Sequence, residues 1–263
     1  MYPVARVARS GTSILAVYCL AIQKGIPLIE LVYQHADFIV VYKPPFVAVQ
    51  NEADHSGILT ILSEQLNQQK LWLVHRLDKV TSGLLILARS EQAAAEFGRM
   101  FEARQIEKYY LAISNKKPKK KQGTISGGMK KVRDGKWMLD DSQVQRATTQ
   151  FFSYGLSDGQ RLYLVKPLTG KTHQIRVMMK SLGAPILGDE LYKGDQAERC
   201  YLHAFALKFS FQQQTIELVC PPTQGLAFMQ QSVQQKLAEL PLPWQLAWPD
   251  YKIPHYHTDQ NES

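Results

Sequence analysis

The chain has 263 residues, of which 45% are hydrophobic and 21% charged, so it can bury a substantial core as one large domain or two small ones. Lysine and arginine number 31 against 23 acidic residues, and the formal net charge of +8 favours a polyanionic partner such as nucleic acid. Cys19, Cys200 and Cys220 lie far apart in the sequence, which argues against a disulfide-stapled secreted domain and against a cysteine-bound metal.

The first residues combine positive charge with an apolar run. Arg6 and Arg9 precede residues 14–22, as in a short signal peptide, but no small-residue cleavage pattern follows and the run is too short to span a bilayer. We interpret residues 1–29 as an N-terminal extension, amphipathic or poorly ordered, or as an over-long start of the reading frame. No membrane association is expected.

The first half of the folded region alternates strands with helices. Apolar runs predict buried strands at residues 38–42, 83–88 and 109–113. Leucines at spacings of three and four predict a helix over residues 58–68, and Ser90 can cap a second helix.

The second half contains the stretch with the least regular pattern. Residues 116–141, which begin with a lysine run, are predicted to be the most loop-like part of the interior. The elements predicted after it are a hairpin with arms 145–155 and 160–167, a helix from Thr172 to Leu182, a strand pair at 202–211 and 215–219, and a helix near 225–239. Because hairpins predominate, we predict an α+β fold with a mixed, largely antiparallel central sheet flanked by helices. This domain is assigned to residues 30–240, and residues 241–263 to a C-terminal tail.

A polar turn between two apolar strands is the first segment that carries chemistry. In Val74–Gly83, Asp78 lies beside cations, and Thr81 and Ser82 can fix the turn through hydrogen bonds to the backbone. A carboxylate on a loop held by a sheet is placed to act on a substrate. From these residues alone, an aspartate that merely satisfies the turn or pairs with Arg76 is the open alternative.

The second such segment, Leu168–Met179, predicts a helix start rich in cations. His173, Arg176 and Lys180 fall on one side of a helix that begins at Thr172. Positive charge near a helix N-terminus is disfavoured by the helix dipole, so the arrangement needs an anion, either a buried carboxylate or a phosphate. A solvated polar face is the alternative.

Together, and in this order, the two segments resemble the RluA family of pseudouridine synthases. The sequence His75-Arg76-Leu77-Asp78-x-x-Thr81-Ser82-Gly83 matches the signature of that family, and Gly170-Lys171-Thr172-His173-Gln174-Ile175-Arg176 is similar to its helix start. Further similarities are Val41-x-Lys43-Pro44, Lys108-x-Tyr110-Leu111-Ala112, Gly188-Asp189-x-x-Tyr192 and Leu202-His203-Ala204.

The resemblance implies both a fold and a set of site residues. The fold would be that of a pseudouridine synthase with a catalytic cleft. The implied catalytic residues are Asp78, Tyr110 and Arg176, and the implied substrate-binding residues are His75, Arg76, Leu77, Thr81, Lys171 and His173.

This chain also departs from the family pattern at several positions. Lys171 stands where arginine is usual, Val80 replaces an acidic or small residue, and Pro45-Phe46-Val47 lacks the glycine often found after Lys-Pro. No S4-type RNA-binding domain can be recognised before residue 30. The last departure leaves the choice of RNA open.

The implied reaction breaks the N1–C1′ bond of a uridine, turns the base and joins C5 to C1′. No atom is gained or lost, so neither a cofactor nor a metal is expected. Asp78 would attack the sugar or the base, or assist loss of a sugar proton, and Arg176 would keep it charged in a closed pocket. Tyr110 would stack on the flipped base, and Arg76 would fill the vacated space or contact a phosphate.

Structured RNA, ribosomal or transfer, is therefore the expected partner, and the protein is expected to be a cytoplasmic monomer. The lysine run Lys116–Lys121 would add non-specific affinity for the RNA backbone. Two alternatives stay open at this point. The chain could be an inactive RNA-binding protein of the same fold, or a hydrolase with a carboxylate pair, for which Asp54 or Asp189 would have to supply the second acid.

Overall fold

The computed structural model describes residues 28–251 except 54, 55, 68, 69, 141, 143–145 and 158. It shows the predicted α+β architecture. The strands are β1 (Glu30–Gln34), β2 (Phe38–Lys43), β3 (Trp72–Leu73), β4 (Ser82–Ala88), β5 (Glu107–Ser114), β6 (Gln122–Lys131), β7 (Trp137–Leu139), β8 (Arg146–Gly155), β9 (Arg161–Pro167), β10 (Leu202–Phe211) and β11 (Gln214–Val219). The helices are α1 (Ile58–Gln65), α2 (Glu91–Glu102), α3 (Gln174–Ser181) and α4 (Gln231–Glu239), with 3₁₀ turns at Glu190–Tyr192 and Pro243–Gln245.

The described strands join in one sheet that is antiparallel except at its centre. The order is β1-β2-β4-β10-β5-β9-β8-β6-β7, with β11 beside β10 and β3 beside β4. Only the short contact of β4 with β10 is parallel among the described pairs. The prediction of a mixed, largely antiparallel sheet is therefore confirmed.

Helices cover the sheet through their apolar faces. In α2, Ala93, Phe97 and Met100 are buried against the sheet, and the Ser90 hydroxyl accepts a hydrogen bond from the backbone N–H of Ala93 at 3.1 Å, as the predicted cap requires. Ile58, Ile61 and Leu62 of α1 pack into a second apolar cluster. These two helices hold the strands that flank the turn carrying Asp78.

The prediction of a loop over residues 116–141 was wrong for most of its length. Residues 115–121 are irregular, but β6 pairs with β8 over seven positions, from Gln122 opposite Phe152 to Gly128 opposite Arg146. The glycines that indicated a loop instead allow close packing, since a Cβ on Gly127 would lie 3.2 Å from the Leu139 side chain. Pairing with a neighbouring strand thus overrides weak local preference.

The helix predicted from Thr172 begins at Gln174, and its solvated-face interpretation was wrong. Residues 174–179 are all buried, so α3 lies inside the protein rather than on its surface. His173 precedes it in a left-handed conformation, with φ of 55°. The last helix likewise starts at Gln231 instead of near residue 225.

Part of the predicted tail packs against the sheet. Trp244 and Trp248 contact the ring of Tyr109, and Tyr251 donates a hydrogen bond to Ser126 at 3.0 Å. The domain boundary at residue 240 stays a prediction. The interpretations of residues 1–27, Cys19 and residues 252–263 lie outside the described residues, as does that of Asp54.

Within the described residues, no helix combines the length and apolar character needed to cross a membrane. Cys200 and Cys220 carry free thiols. The part of the chain that the structure describes contains no cluster of three or more metal-ligating side chains.

Candidate active site

A cleft of about 760 Å³ lies where the turn after β3 faces the starts of β5 and α3. All the site residues predicted from the sequence line it. They are His75, Arg76, Leu77, Asp78, Thr81, Tyr110, Lys171, His173 and Arg176. Segments far apart in the sequence therefore converge on one cavity.

Asp78 lies in this cleft beside a buried guanidinium. An Arg176 Nη1 donates to Asp78 Oδ2 at 3.4 Å, and the two side chains are 7% and 17% exposed respectively. The guanidinium stabilises negative charge on Asp78, while the partial exposure leaves that carboxylate accessible from the cleft. A charged, reachable carboxylate can act as a nucleophile or a general base.

Arg176 is held more tightly by a second carboxylate. Its Nε and Nη2 donate to the two oxygens of Asp189, both at 2.8 Å, and Asp189 is 1% exposed. Although burial acts to lower it, these hydrogen bonds keep the pKa of Arg176 above its usual value. Asp189 thus aims Arg176 at Asp78. Since both of its oxygens are occupied, it is not a second acid for hydrolysis.

Lys43 supports the turn that carries Asp78 through hydrogen bonds to backbone carbonyls. The Lys43 ammonium is fully buried and donates to the carbonyls of Pro44, Val47 and Lys79 at 2.9, 2.8 and 3.2 Å. Burial lowers the pKa of Lys43 to about 7, aided by the charge of Arg199 and opposed by that of Asp78. The backbone N–H of Thr81 closes the turn on the Asp78 carbonyl at 2.9 Å.

Beyond the turn, Gly83 lets β4 pass close to β10. Its φ is +108°, and a Cβ there would lie 2.2 Å from the carbonyl oxygen of Ala204. The hydroxyl of the preceding residue, Ser82, contacts His203 Nδ1 at 2.8 Å and accepts a hydrogen bond from Arg199 Nη2 at 2.7 Å. Burial lowers the pKa of His203 to about 4, so its ring is neutral at physiological pH. This layer supports the turn without reaching the cleft.

The two histidines of the site have different surroundings. His75 Nε2 accepts the backbone N–H of Ile86 at 2.8 Å, and burial lowers its pKa to about 3, so the ring is a neutral support for the turn. His173 Nε2 lies 3.9 Å from Asp78 Oδ2, and its Nδ1 contacts the Tyr192 hydroxyl at 2.9 Å. Burial lowers the pKa of His173 while Asp78 opposes the shift.

The two neighbouring tyrosines of β5 differ in their surroundings, since one lies in the core and the other lines the cleft. Tyr109 is fully buried and donates to Glu107 at 2.6 Å, so it belongs to the core. Tyr110 lines the cleft, and burial together with the charge of Asp78 raises its pKa. Its phenol is therefore protonated at physiological pH and offers a ring and a hydroxyl to a ligand.

Gln174 locks the start of α3. It is 4% exposed, its Oε1 accepts from the Thr169 hydroxyl at 2.7 Å and the Lys171 backbone at 3.0 Å, and its Nε2 donates to Thr148 and Thr149, both at 2.9 Å. These bonds set the path of the chain from β9 into α3. They thereby determine where Arg176 enters the cleft.

The other predicted residues differ in exposure. Arg76 is exposed, whereas Leu77 and Thr81 are buried at 5% and 2% exposure, and Lys171 is exposed at the rim. Lys108 also lines the cleft, and burial lowers its pKa to about 8. The cleft wall is thus rich in cations, as a polyanionic ligand requires.

Sequence reasoning missed the supporting roles of Lys43, Gln174, Asp189 and Arg199. The first three lie within segments that the family resemblance covered, so the signal was present, but their contacts depend on the fold. Arg199 lies outside those segments. No sequence pattern indicated that its guanidinium is buried.

Comparisons with known proteins agree with this geometry. A sequence model of the family described as RNA pseudouridylate synthase matches residues 37–181. A Haemophilus influenzae protein named as an uncharacterized RNA pseudouridine synthase is 49% identical over 211 residues, which cover 80% of this chain and 94% of the relative. A protein of Rickettsia bellii named ribosomal large subunit pseudouridine synthase C is 32% identical over 200 residues, covering 70% of this chain and 65% of the relative.

Two solved structures share the fold. Human RNA pseudouridylate synthase domain containing 1 is 28% identical with a TM-score of 0.62, and covers 82% of this chain and 97% of its own. Human RNA pseudouridylate synthase domain containing 4 is 23% identical with a TM-score of 0.66, covers 84% and 96%, and shows the common fold. The family resemblance read from the sequence is confirmed: the chain belongs to the RNA pseudouridine synthases, which are isomerases.

Proposed function

We propose that this enzyme isomerises specific uridines in ribosomal RNA, with Asp78 as the catalytic carboxylate. The observation that carries the proposal is the placement of Asp78 in the cleft, 3.4 Å from the guanidinium of Arg176 and with Tyr110 in the same wall. Ribosomal RNA is favoured over transfer RNA by the 32% identity to a relative named for the large ribosomal subunit. The proposal places the enzyme in the cytoplasm, as a monomer.

In the proposed reaction, Asp78 attacks C1′ or the uracil ring, or assists loss of a sugar proton, as the N1–C1′ bond breaks. The base turns within the cleft, C5 bonds to C1′, and the proton on C5 leaves while N1 gains one. In this proposal, Tyr110 supports the turned base with its ring, and its hydroxyl is assigned a place near the C5 proton. Arg76, exposed beside the cleft, enters the space left by the flipped uridine.

The test of this proposal is a map of pseudouridines in total RNA from cells that contain the protein, lack it, or carry only Asp78→Asn. We expect one or a few ribosomal sites to disappear in the deletion and to stay absent with Asp78→Asn. Sites lost from transfer RNA instead would contradict the choice of RNA. Unchanged maps in both strains would favour an inactive RNA-binding protein of the same fold.

The lysine run Lys116–Lys121 lies at the end of β5 away from the cleft. Tyr110, which lines the cleft, is four residues before the end of β5 at Ser114, a strand length of roughly 13 Å, and Lys116 follows two residues later. The β6–β7 hairpin, in contrast, is tied to the cleft, because the Tyr192 hydroxyl that contacts His173 also accepts the backbone N–H of Trp137 at 2.9 Å. Its exposed cations Lys130, Lys131 and Arg133 are therefore better placed to meet RNA.

Two matched triple variants distinguish these surfaces. Changing Lys130, Lys131 and Arg133 to glutamine should lower the slope of log affinity against log salt by about 2, since each lost phosphate contact removes roughly 0.7–0.9. The same change at Lys116, Lys117 and Lys119 should alter the slope by less than about half as much. Filter binding at several salt concentrations measures both. A larger effect of the change at Lys116, Lys117 and Lys119 would instead support the sequence-based expectation that the lysine run binds the RNA backbone.

A further inference from the structure

Phe46 has a backbone conformation that its side chain disfavours. Its φ is +67°, in the left-handed region that suits glycine, asparagine and aspartate. The other non-glycine residues with positive φ in the described part of the chain all carry polar side chains. A bulky apolar residue in this conformation is an outlier, and such outliers persist only where the surrounding structure holds them.

The surrounding structure ties Phe46 to the turn that carries Asp78. The backbone N–H of Phe46 donates to the carbonyl of Lys79 at 2.8 Å. The buried ammonium of Lys43 binds the same carbonyl and that of Val47. The backbone of Phe46 is thus held by the residue that follows Asp78 in the chain.

Core packing does not explain why a phenylalanine is found here. Its side chain is 53% exposed, whereas Val49, three residues later, is 7% exposed and belongs to an apolar cluster. The ring presents apolar surface to solvent. The neighbouring turn carries exposed Arg76 and exposed Lys79, and the Lys79 ammonium is paired with the Glu52 carboxylate. An aromatic surface with cations nearby matches the two features of unpaired RNA, which are flat bases and phosphates.

We propose that the Phe46 ring stacks on an unpaired base of the RNA, next to the uridine that enters the cleft. The inference rests on the proposed function and adds a base-binding position outside the cleft. Stacking on an aromatic ring accepts any base, because every base has a flat π-face. Phe46 therefore contributes affinity and holds the strand beside the catalytic turn without selecting the sequence.

Three variants separate the ring from the backbone conformation. Phe46→Gly removes the ring and relaxes the positive φ, Phe46→Ala removes the ring but keeps the strained Cβ, and Phe46→Tyr keeps an aromatic ring. Leu226→Ala is the control, since Leu226 is 78% exposed and does not line the cleft. The probe is a fluorescein-labelled oligouridine of twelve nucleotides.

We expect Phe46→Gly and Phe46→Ala to raise the Kd for this probe by about tenfold alike, and Phe46→Tyr to bind as the unchanged protein does. Phe46→Gly should melt at a higher temperature than Phe46→Ala, because only glycine relieves the positive φ. In Phe46→Trp, the added indole fluorescence should be quenched by the oligouridine. An affinity that follows stability rather than the presence of a ring would overturn the proposal.

Three other results would also overturn it: no affinity of the unchanged protein for oligouridine, no quenching in Phe46→Trp, or a dimer that Phe46→Gly dissociates in sedimentation velocity. The last would mean that a second copy of the chain covers the ring. Because binding is measured apart from turnover, a protein that binds through Phe46 but forms no pseudouridine would contradict only the proposed function.

Discussion

Asp78→Asn is expected to reduce pseudouridine formation by about a thousandfold or more, the scale of loss seen when an essential catalytic side chain is removed. Asparagine has the same shape but cannot serve as a carboxylate nucleophile or base. The fold should be retained, because Arg176 keeps its two 2.8 Å hydrogen bonds to Asp189. The measurement is nucleoside analysis of an unmodified large-subunit ribosomal RNA transcript after incubation with each protein.

Asp37→Asn is the matched control for this change. Asp37 has a side chain 37% exposed beside His35, in the turn between β1 and β2, and does not line the cleft. It should keep its activity, and both variants should bind the transcript with affinities close to that of the unchanged protein. Turnover retained in Asp78→Asn would disprove the assignment of the catalytic carboxylate.

Arg176→Ala is expected to lower the free energy of unfolding by about 3–5 kcal/mol, because it leaves a buried carboxylate without its partner. The carboxylate most affected is that of Asp189, which is 1% exposed, whereas the Asp78 side chain is 17% exposed and remains open to the cleft. Activity should fall as well, since the guanidinium that stabilises the charge of Asp78 is lost. Urea unfolding followed by circular dichroism measures the first effect, and nucleoside analysis the second.

A double variant separates stability from catalysis at this pair. Arg176→Met combined with Asp189→Leu replaces both buried charges by apolar side chains, which is often neutral for stability. We expect it to recover most of the stability lost in Arg176→Ala while remaining inactive. A double variant that regains activity, or an Arg176→Ala protein as stable as the original, would contradict the role given to the guanidinium.

The difference between Tyr109 and Tyr110 illustrates what a sequence pattern can decide. Both are aromatic residues of a predicted strand, and alternation alone allows either one to face a site. The family motif pointed to Tyr110, and the structure places Tyr110 in the cleft and Tyr109 in the core. The strand was predictable from local pattern. Which of the two tyrosines faces the cleft could be decided only from the family motif or from the fold.

The β6–β7 hairpin shows the opposite outcome. Its residues have glycines and lysines that locally favour a loop, and only the ladder with β8 makes them a strand. The same dependence on neighbours explains the error at α3. Its polar pattern left a solvated face open as the alternative, but Arg176 is buried because Asp189 provides the hydrogen bonds that a buried guanidinium needs.

The amino-acid sequence by itself determined the α+β class and the turn that carries Asp78, because turn formers, strand runs and the motif around Asp78 are properties of contiguous residues. It also indicated that Arg176 would need an anion. The family resemblance implied Asp78, 98 residues before Arg176, as one such anion, but only the tertiary structure showed that Asp189, 13 residues after it, binds the guanidinium more closely. Contacts across such separations depend on how strands are ordered in the sheet, and that order is a property of the whole chain.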